Sequence, residues 1–282
     1  MPAVIQEGIC SRRNQPDLFY RYLPGERRDA CLVILHGFAE HSGRYLELMD
    51  VLKQTSLPIL AGDLRGHGRS GGVRVHVDAW RDYWMDVQDL LAYVQERHGV
   101  PPQTLLIGHS LGGLIALDGA LQEPAGLKGL ILSSPCLGLR IPALLRGLNA
   151  ILQSVMPQWY HPHPVNAGDL THDPAVSAAY EQDEWVQKKI SARLVFEMLQ
   201  CMQRLEEGTL RLTVPVFFLA AAEEHVVDLG RTLVVYARLD APLKRLRCFE
   251  GFRHEIFNEL QKQIAYDAVL EAIRKILDFH TG

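Results

Sequence analysis

The chain of 282 residues carries a net charge of −4, with 48% hydrophobic and 22% charged residues. That length holds one large domain, or one domain with a substantial insertion, and no basic surplus offers a face to nucleic acid. Five scattered cysteines, Cys10, Cys31, Cys136, Cys201 and Cys248, show no CxxC spacing. They disfavour a disulfide framework or a zinc site and fit a reducing, cytoplasmic setting.

At the N-terminus, "MPAVIQEGICSRRNQPD" lacks the charged-then-apolar pattern of a secretory signal, and no apolar run in the chain is long enough to span a bilayer. The segment "GICSRRNQPDLFYRYLP" reads as a hairpin turning at Asn14 to Asp17. Short runs rich in leucine and β-branched residues follow at Cys31–Leu35, Pro58–Ala61, Thr104–Ile107, Leu127–Leu132, Val214–Leu219 and Leu243–Phe249. Each is too short for a typical helix and reads as a buried strand. Between them lie helical patterns. Tyr45–Gln54 is one; Asp78–Arg97 is another, with a stripe of Trp80, Trp84, Val87, Leu91 and Val94 that stops at Gly99. Gln263–Phe279 forms a last amphipathic helix. Buried strands alternating with helices predict an α/β fold, a mostly parallel sheet covered on both faces.

One interval breaks the rhythm, between "LILSSP" and "VPVFFL". Ile141–Met156 gathers Ile141, Leu144, Leu145, Leu148, Ile151, Leu152 and Val155 on one face, with Arg146 as its only charge. That face suits an acyl-chain channel or a membrane surface, although packing against the core accounts for most of its residues. Ser191–Glu207 is a second helix, with Ser191 as N-cap and Gly208 at its end. The proline-rich "MPQWYHPHPVNAGDLTHDP" between them reads as loop, and its His161 and His163 are too isolated for a metal site. The expected division is a core of residues 1–136 and 211–282, with a helical cap of residues 137–210 inserted.

Chemistry concentrates at strand ends. In "LLIGHSLGGLIAL" a strand leads into Gly108-His109-Ser110-Leu111-Gly112 and a helix follows. This is G-x-S-x-G in its strand–turn–helix setting, which exposes Ser110 as a nucleophile. The helix start aims backbone N–H groups at developing negative charge. In "LVILHGFAEHSGRY" a strand ends in a loop where the Phe38 N–H is the candidate oxyanion donor beside the Leu111 N–H. The side chains of His36, Glu40 and His41 are expected only to brace that loop. "AGDLRGHGRSGG" reads as a structural loop built on Gly66 and Gly68. After the last strand, "CFEGFRHEIFNE" places His254 where α/β-hydrolases carry the base; His280 is a weaker alternative. "FLAAAEEHVVD" supplies the acids Glu223, Glu224 and Asp228.

Taken together, "HGFAEHSGRY", "DLRGHGRS" and "GHSLGG" resemble motifs of the monoacylglycerol lipase and bacterial lysophospholipase group of α/β-hydrolases, grouped with the serine aminopeptidases. The cap stretch "LTHDPAVSAAYEQDEWVQKKISARLVFEML" is similar as well, and the likeness is weakest over residues 140–168. Two positions depart from the family pattern. Ala39 stands where the family has glycine, and Glu224 stands where G-x-x-D-x-x-V has aspartate. The resemblance implies a serine esterase for monoacylglycerol, lysophospholipid or a similar single-chain ester. It would work through Ser110, His254 and Glu224, with an acyl-enzyme, no metal, no organic cofactor, and peripheral membrane contact through the cap. The alternatives are a short-chain carboxylesterase or aminopeptidase of the same fold, and a catalytically silent binding protein.

Overall fold

The computed structural model describes residues 4–279. Its elements run β1 (Gln6–Cys10), β2 (Leu18–Leu23), β3 (Cys31–Leu35), α1 (Leu46–Leu52), β4 (Ile59–Gly62), α2 (Arg81–His98), β5 (Thr104–His109), α3 (Leu111–Gln122) and β6 (Leu127–Ser133). Then come α4 (Ala143–Val155), β7 (Tyr160–Pro162), α5 (Ala167–Leu170), α6 (Pro174–Gln182), β8 (Lys189–Ser191) and α7 (Ala192–Glu207). The chain ends with β9 (Val216–Ala221), α8 (Leu229–Arg238), β10 (Lys244–Phe249) and α9 (Gln263–Leu277).

Eight strands form one sheet in the order β1-β2-β4-β3-β5-β6-β9-β10. The N-terminal hairpin pairs antiparallel, from Gln6 opposite Tyr22 to Cys10 opposite Leu18, and Asn14 in its connection takes a left-handed φ of 60°. β2 also runs antiparallel to β4, and every other pairing in this sheet is parallel. The architecture is that of an α/β-hydrolase.

Strand side chains alternate between faces, and here both faces are apolar. In β3, Val33 and Leu35 join one core layer beneath α2, α3 and α7. Leu32 and Ile34 join the other layer, beneath α1 and α9. This is why the strands read as continuous apolar runs rather than as alternating ones. α2 stops at Gly99, whose φ of 63° is costly for a side chain and cheap for glycine. In the "DLRGHGRS" loop, Asp63 accepts from the Ser42 and Arg69 amides while Gly66 and Gly68 take positive φ, the structural role expected of it.

Between β6 and β9 lie α4 to α7 and the small β7–β8 hairpin. The stretch expected as loop therefore contains β7 and α5. Ser191 caps α7, its hydroxyl accepting from the Leu194 amide at 3.1 Å, and α7 buries Leu194, Val195, Met198 and Leu205. α4 packs on α7 with its orientation reversed from the core-packing expectation. Its one buried residue is Asn149, whose amide donates to the Ala192 carbonyl at 3.0 Å. Leu144, Leu145, Leu148, Ile151 and Val155 face outward, Leu144 at 83% exposure and Val155 at 69%. Burying such a side chain is worth about 1.5–3 kcal/mol. The fold leaves that gain unused at these five positions, while Ile141 and Leu152 of the same stripe are partly buried.

Candidate active site

β5 and α3 meet at Ser110, held at φ 49° and ψ −112°. A non-glycine residue in such a conformation costs on the order of 1–3 kcal/mol and needs its surroundings to hold it. Here the Ser110 amide donates to the Ser133 carbonyl at 3.0 Å, and the Ser110 carbonyl accepts from the Cys136 amide at 3.0 Å. The flanking glycines are required by contact. A Cβ on Gly112 would lie 2.2 Å from the Leu35 carbonyl oxygen, and one on Gly108 would lie 2.6 Å from the Gly112 oxygen.

The second loop follows β3. The Leu64 amide donates to His36 Nε2 at 2.9 Å, so the His36 proton sits on Nδ1, 2.7 Å from the Gly37 carbonyl. Burial pushes His36 down to about 4 and keeps it neutral, against the pull of Asp63. Gly37 admits no side chain, since a Cβ there would lie 2.7 Å from Glu40 Oε1 and 3.3 Å from the Ser110 Cβ. Ala39 sits at φ 66°, left-handed backbone that glycine adopts more easily, which accounts for glycine in the related pattern. The N–H groups of Phe38 and Leu111 donate to no acceptor among the described residues. Two unspent donors thus stand on the two loops that meet at Ser110.

Parallel pairing of β9 and β10, with Ala221 opposite Phe249, brings the acid and histidine loops together. The Glu223 amide donates to the Phe252 carbonyl at 3.0 Å and ties one loop to the other. Glu224 Oε2 lies 2.8 Å from His254 Nδ1, and its Oε1 accepts from the Val226 and Val227 amides at 2.9 and 3.1 Å. A carboxylate only accepts, so Nδ1 carries the proton and Nε2 is left as the basic nitrogen. Burial opposes charge on both groups, yet their mutual attraction outweighs it. Glu224 is lowered, with help from the two amides, and His254 is raised.

The other two acids of that loop point elsewhere. Glu223 is half exposed and pairs with His172 Nε2 at 3.3 Å. Asp228 caps α8, accepting from the Arg231 amide. Ser110 Oγ has no hydrogen-bond partner among the described residues. The ring of His109, the residue before it, packs against that of His254 with centroids 4.8 Å apart. His109 bonds Ser133 Oγ at 3.1 Å, and burial together with His254 lowers it to about 4. His280, the competing histidine, lies outside the described residues.

Residues from the segment between β6 and β9 hold both loops. The Glu255 amide donates to the Leu170 carbonyl at 2.8 Å, Thr171 Oγ1 donates to the Asn258 carbonyl at 2.8 Å, and His172 Nδ1 bonds Glu259 at 2.9 Å. On the other side the Gln187 amide donates to the Ala39 carbonyl at 2.8 Å, and His41 Nε2 bonds Asp183 at 2.8 Å. His163 packs edge-on to Phe38 with ring centroids 5.3 Å apart. Its Nε2 donates to the Gln187 carbonyl and its Nδ1 accepts from the Val165 amide, so both nitrogens are engaged.

Sequence reasoning passed over Arg44 and Glu255. Arg44 lies between the carboxylates of Glu40 and Glu255, all three with largely buried side chains. The available signal was the ionisable residue directly after His254, matched by an arginine in "HSGRY".

The chain is similar to known proteins over most of its length. Residues 26–261 match the family described as serine aminopeptidase, S33. A Bacillus subtilis phospholipase is 29% identical over 86% of this chain and 94% of its own length. Human monoglyceride lipase is 30% identical over 86% of this chain and 81% of its own. The crystal structure of Paleococcus ferrophilus monoacylglycerol lipase superposes with a TM-score of 0.84 at 25% identity, covering 92% of this chain and 99% of that one. The chain belongs to the serine aminopeptidase S33 family, and it is a serine hydrolase of that family's monoacylglycerol lipase and lysophospholipase group.

Proposed function

We propose that the protein hydrolyses single-chain lipid esters, monoacylglycerols or lysophospholipids, through Ser110, His254 and Glu224. The observation that carries this reading is the Glu224–His254 pair, set beside a strained Ser110 and two unspent N–H donors. His254 Nε2 takes the Ser110 proton as Oγ attacks the ester carbonyl. The Phe38 and Leu111 N–H groups hold the oxyanion. The imidazolium, stabilised by Glu224, then gives its proton to the leaving alcohol oxygen and leaves an acyl-enzyme. Water repeats the sequence, giving its proton to His254 as it attacks, and the fatty acid leaves as His254 returns that proton to Ser110 Oγ.

The lipid assignment rests on α4 and on the relatives' activities. Residues 137–210 act as the cap, and the outward face of Leu144, Leu148, Ile151 and Val155 rests on a membrane or dispersed lipid. No described helix is long and apolar enough to cross a membrane, so contact is at the surface. Labelling by a fluorophosphonate probe, lost in Ser110→Ala, tests the nucleophile. A chain-length panel of glycerol and glycerophosphocholine monoesters tests the substrate. Best turnover on acetyl or butyryl esters points to a short-chain esterase, and release of N-terminal amino acids points to a peptidase. Absence of Ser110-dependent labelling refutes the mechanism.

A further inference from the structure

The buried charges behind His254 form one connected cluster. Glu40 Oε1 accepts from the Gly37 amide and from the Tyr45 hydroxyl, each at 2.6 Å, and its Oε2 accepts from Arg44 Nη1 at 2.9 Å. The same guanidinium grips Glu255 with both terminal nitrogens, Nη2 lying 2.7 Å from Oε2. Asn258 Nδ2 donates to that oxygen at 2.8 Å. On the cap side the Arg44 guanidinium lies over the Tyr180 ring of α6, 4.9 Å from its centroid. Glu40 lies two residues after Phe38, and Glu255 directly follows His254. One arginine therefore joins the turn that carries a proposed oxyanion donor to the loop that carries the proposed base.

Stability alone does not explain the cluster. A buried ion pair roughly breaks even against apolar packing of the same volume. This cluster does worse, because it sets two carboxylates against one cation and buries an unbalanced negative charge. Burial alone would raise Glu255, but Arg44 and Asn258 hold it down to about 2, so it is ionised across the working range. Such a surplus is useful where a positive charge develops next to it. His254 is where one develops during acyl transfer.

We propose that Glu40, Arg44 and Glu255 are positioning residues for the reaction: Arg44 fixes the Phe38 turn against the His254 loop, and the surplus carboxylate stabilises the imidazolium. This inference rests on the Ser110–His254–Glu224 reading. Four ionisable groups influence His254: Glu224 from the end of β9, His109 from the end of β5, Glu255 from its own loop, and Glu40 from the loop after β3. His109 stays neutral above about pH 4, so the carboxylates set the field there. Glu255 and Glu40 both raise His254, after Glu224.

The test is the pH profile of kcat/KM on a water-soluble ester for the wild type, Glu255→Gln, Glu40→Gln and Arg44→Lys, with Tm recorded for each. His254 must be neutral to act as base, so activity falls as pH drops through its pKa. Removing one carboxylate lowers that pKa. Glu255→Gln is expected to move the acid limb down by about half a unit or more and to cut kcat/KM about tenfold. Glu40→Gln moves the limb the same way by less, and it decides the matter if Glu255→Gln does not fold. Arg44→Lys keeps the charge but loses the two-pronged grip, so the limb stays in place while kcat drops about tenfold. Acid limbs unmoved in both glutamine variants, or losses that simply follow Tm, overturn the inference. A wild type with no Ser110-dependent hydrolysis overturns the acyl-transfer reading and this inference with it. An active wild type with unmoved limbs in the variants overturns this inference alone.

Discussion

Glu224 reaches His254 with a side chain one methylene longer than the aspartate of the related motif, and it spends its second oxygen on the Val226 and Val227 amides. Those two bonds fix the longer side chain in one rotamer. Shortening it to aspartate pulls the carboxylate away from the imidazole or from the amides. Glu224→Asp is expected to lower kcat about 10- to 100-fold, and Glu224→Ala by about 10³–10⁴. Glu223→Ala leaves kcat within about threefold, since that side chain is half exposed and faces His172. Asp228→Ala spares kcat but costs about 1 kcal/mol in denaturant unfolding, through the lost cap of α8. Steady-state kinetics across the four variants separates these outcomes, and equal activity of Glu224→Ala and wild type removes Glu224 from the mechanism. The same pair sets the pH response. Against the pull of burial, His254 is raised above its ordinary 6.5 by its Glu224 partner, so the acid limb of kcat/KM is expected above pH 6.5, with activity rising as pH climbs through it. The pairing stabilises the fold below the unfolded histidine value and loses that contribution as pH rises through the folded one. For Glu224, lowered in the fold, the contribution holds above the unfolded carboxyl value and fades as pH falls through the folded one. An acid limb below pH 6.5 contradicts the pairing.

α4 is an amphipathic helix turned outward, and its chemistry predicts where it matters. Leu148→Ser with Ile151→Ser removes two exposed side chains, so folding stability should change by no more than about 0.5 kcal/mol. If the face enters lipid, each side chain supplies about 1.5–3 kcal/mol of transfer free energy. The double variant is then expected to bind phospholipid vesicles at least about tenfold more weakly in co-sedimentation, a loss of 1.4 kcal/mol or more. It should also lose turnover on dispersed long-chain esters while keeping turnover on soluble ones. Undiminished vesicle binding refutes the docking role. At this scale the sequence was an uneven guide. The first five apolar runs became β3, β4, β5, β6 and β9 because a strand buried on both faces needs no partner information to be recognised, and the sixth became β10, a partly exposed strand at the sheet edge. The stripe of α4 was equally plain, but periodicity shows that a helix has an apolar face and is silent on what covers it. α6 went undetected because, of its nine residues, only Tyr180 is buried, too little for a stripe. In the site, Ser110 and His254 were legible from strand ends. The Arg44–Glu255 contact was not, because it joins loops 211 residues apart through side chains alone.

Across the whole molecule, the segment between β6 and β9 divides by how it is held. The segment Gly168–His172 is bonded to the His254 loop through Arg253 to Gly168, Glu255 to Leu170, Thr171 to Asn258 and His172 to Glu259. α4 instead meets the rest of the protein mainly through α7, with the Asn149–Ala192 bond as its one buried anchor. Regions with few buried contacts open at low free-energy cost, and regions welded to the core open only with it. Amide hydrogen exchange is therefore expected to rank the molecule in three tiers. α4 exchanges first, Gly168–His172 exchanges later together with the His254 loop, and β3, β5 and β6 exchange last because both their faces are buried. Under the proposed function, this ordering would let α4 move while Gly168–His172 keeps its hold on the His254 loop. Exchange of Gly168–His172 at the rate of α4 contradicts it, since the segment between β6 and β9 then opens as one body and carries the support of the His254 loop with it.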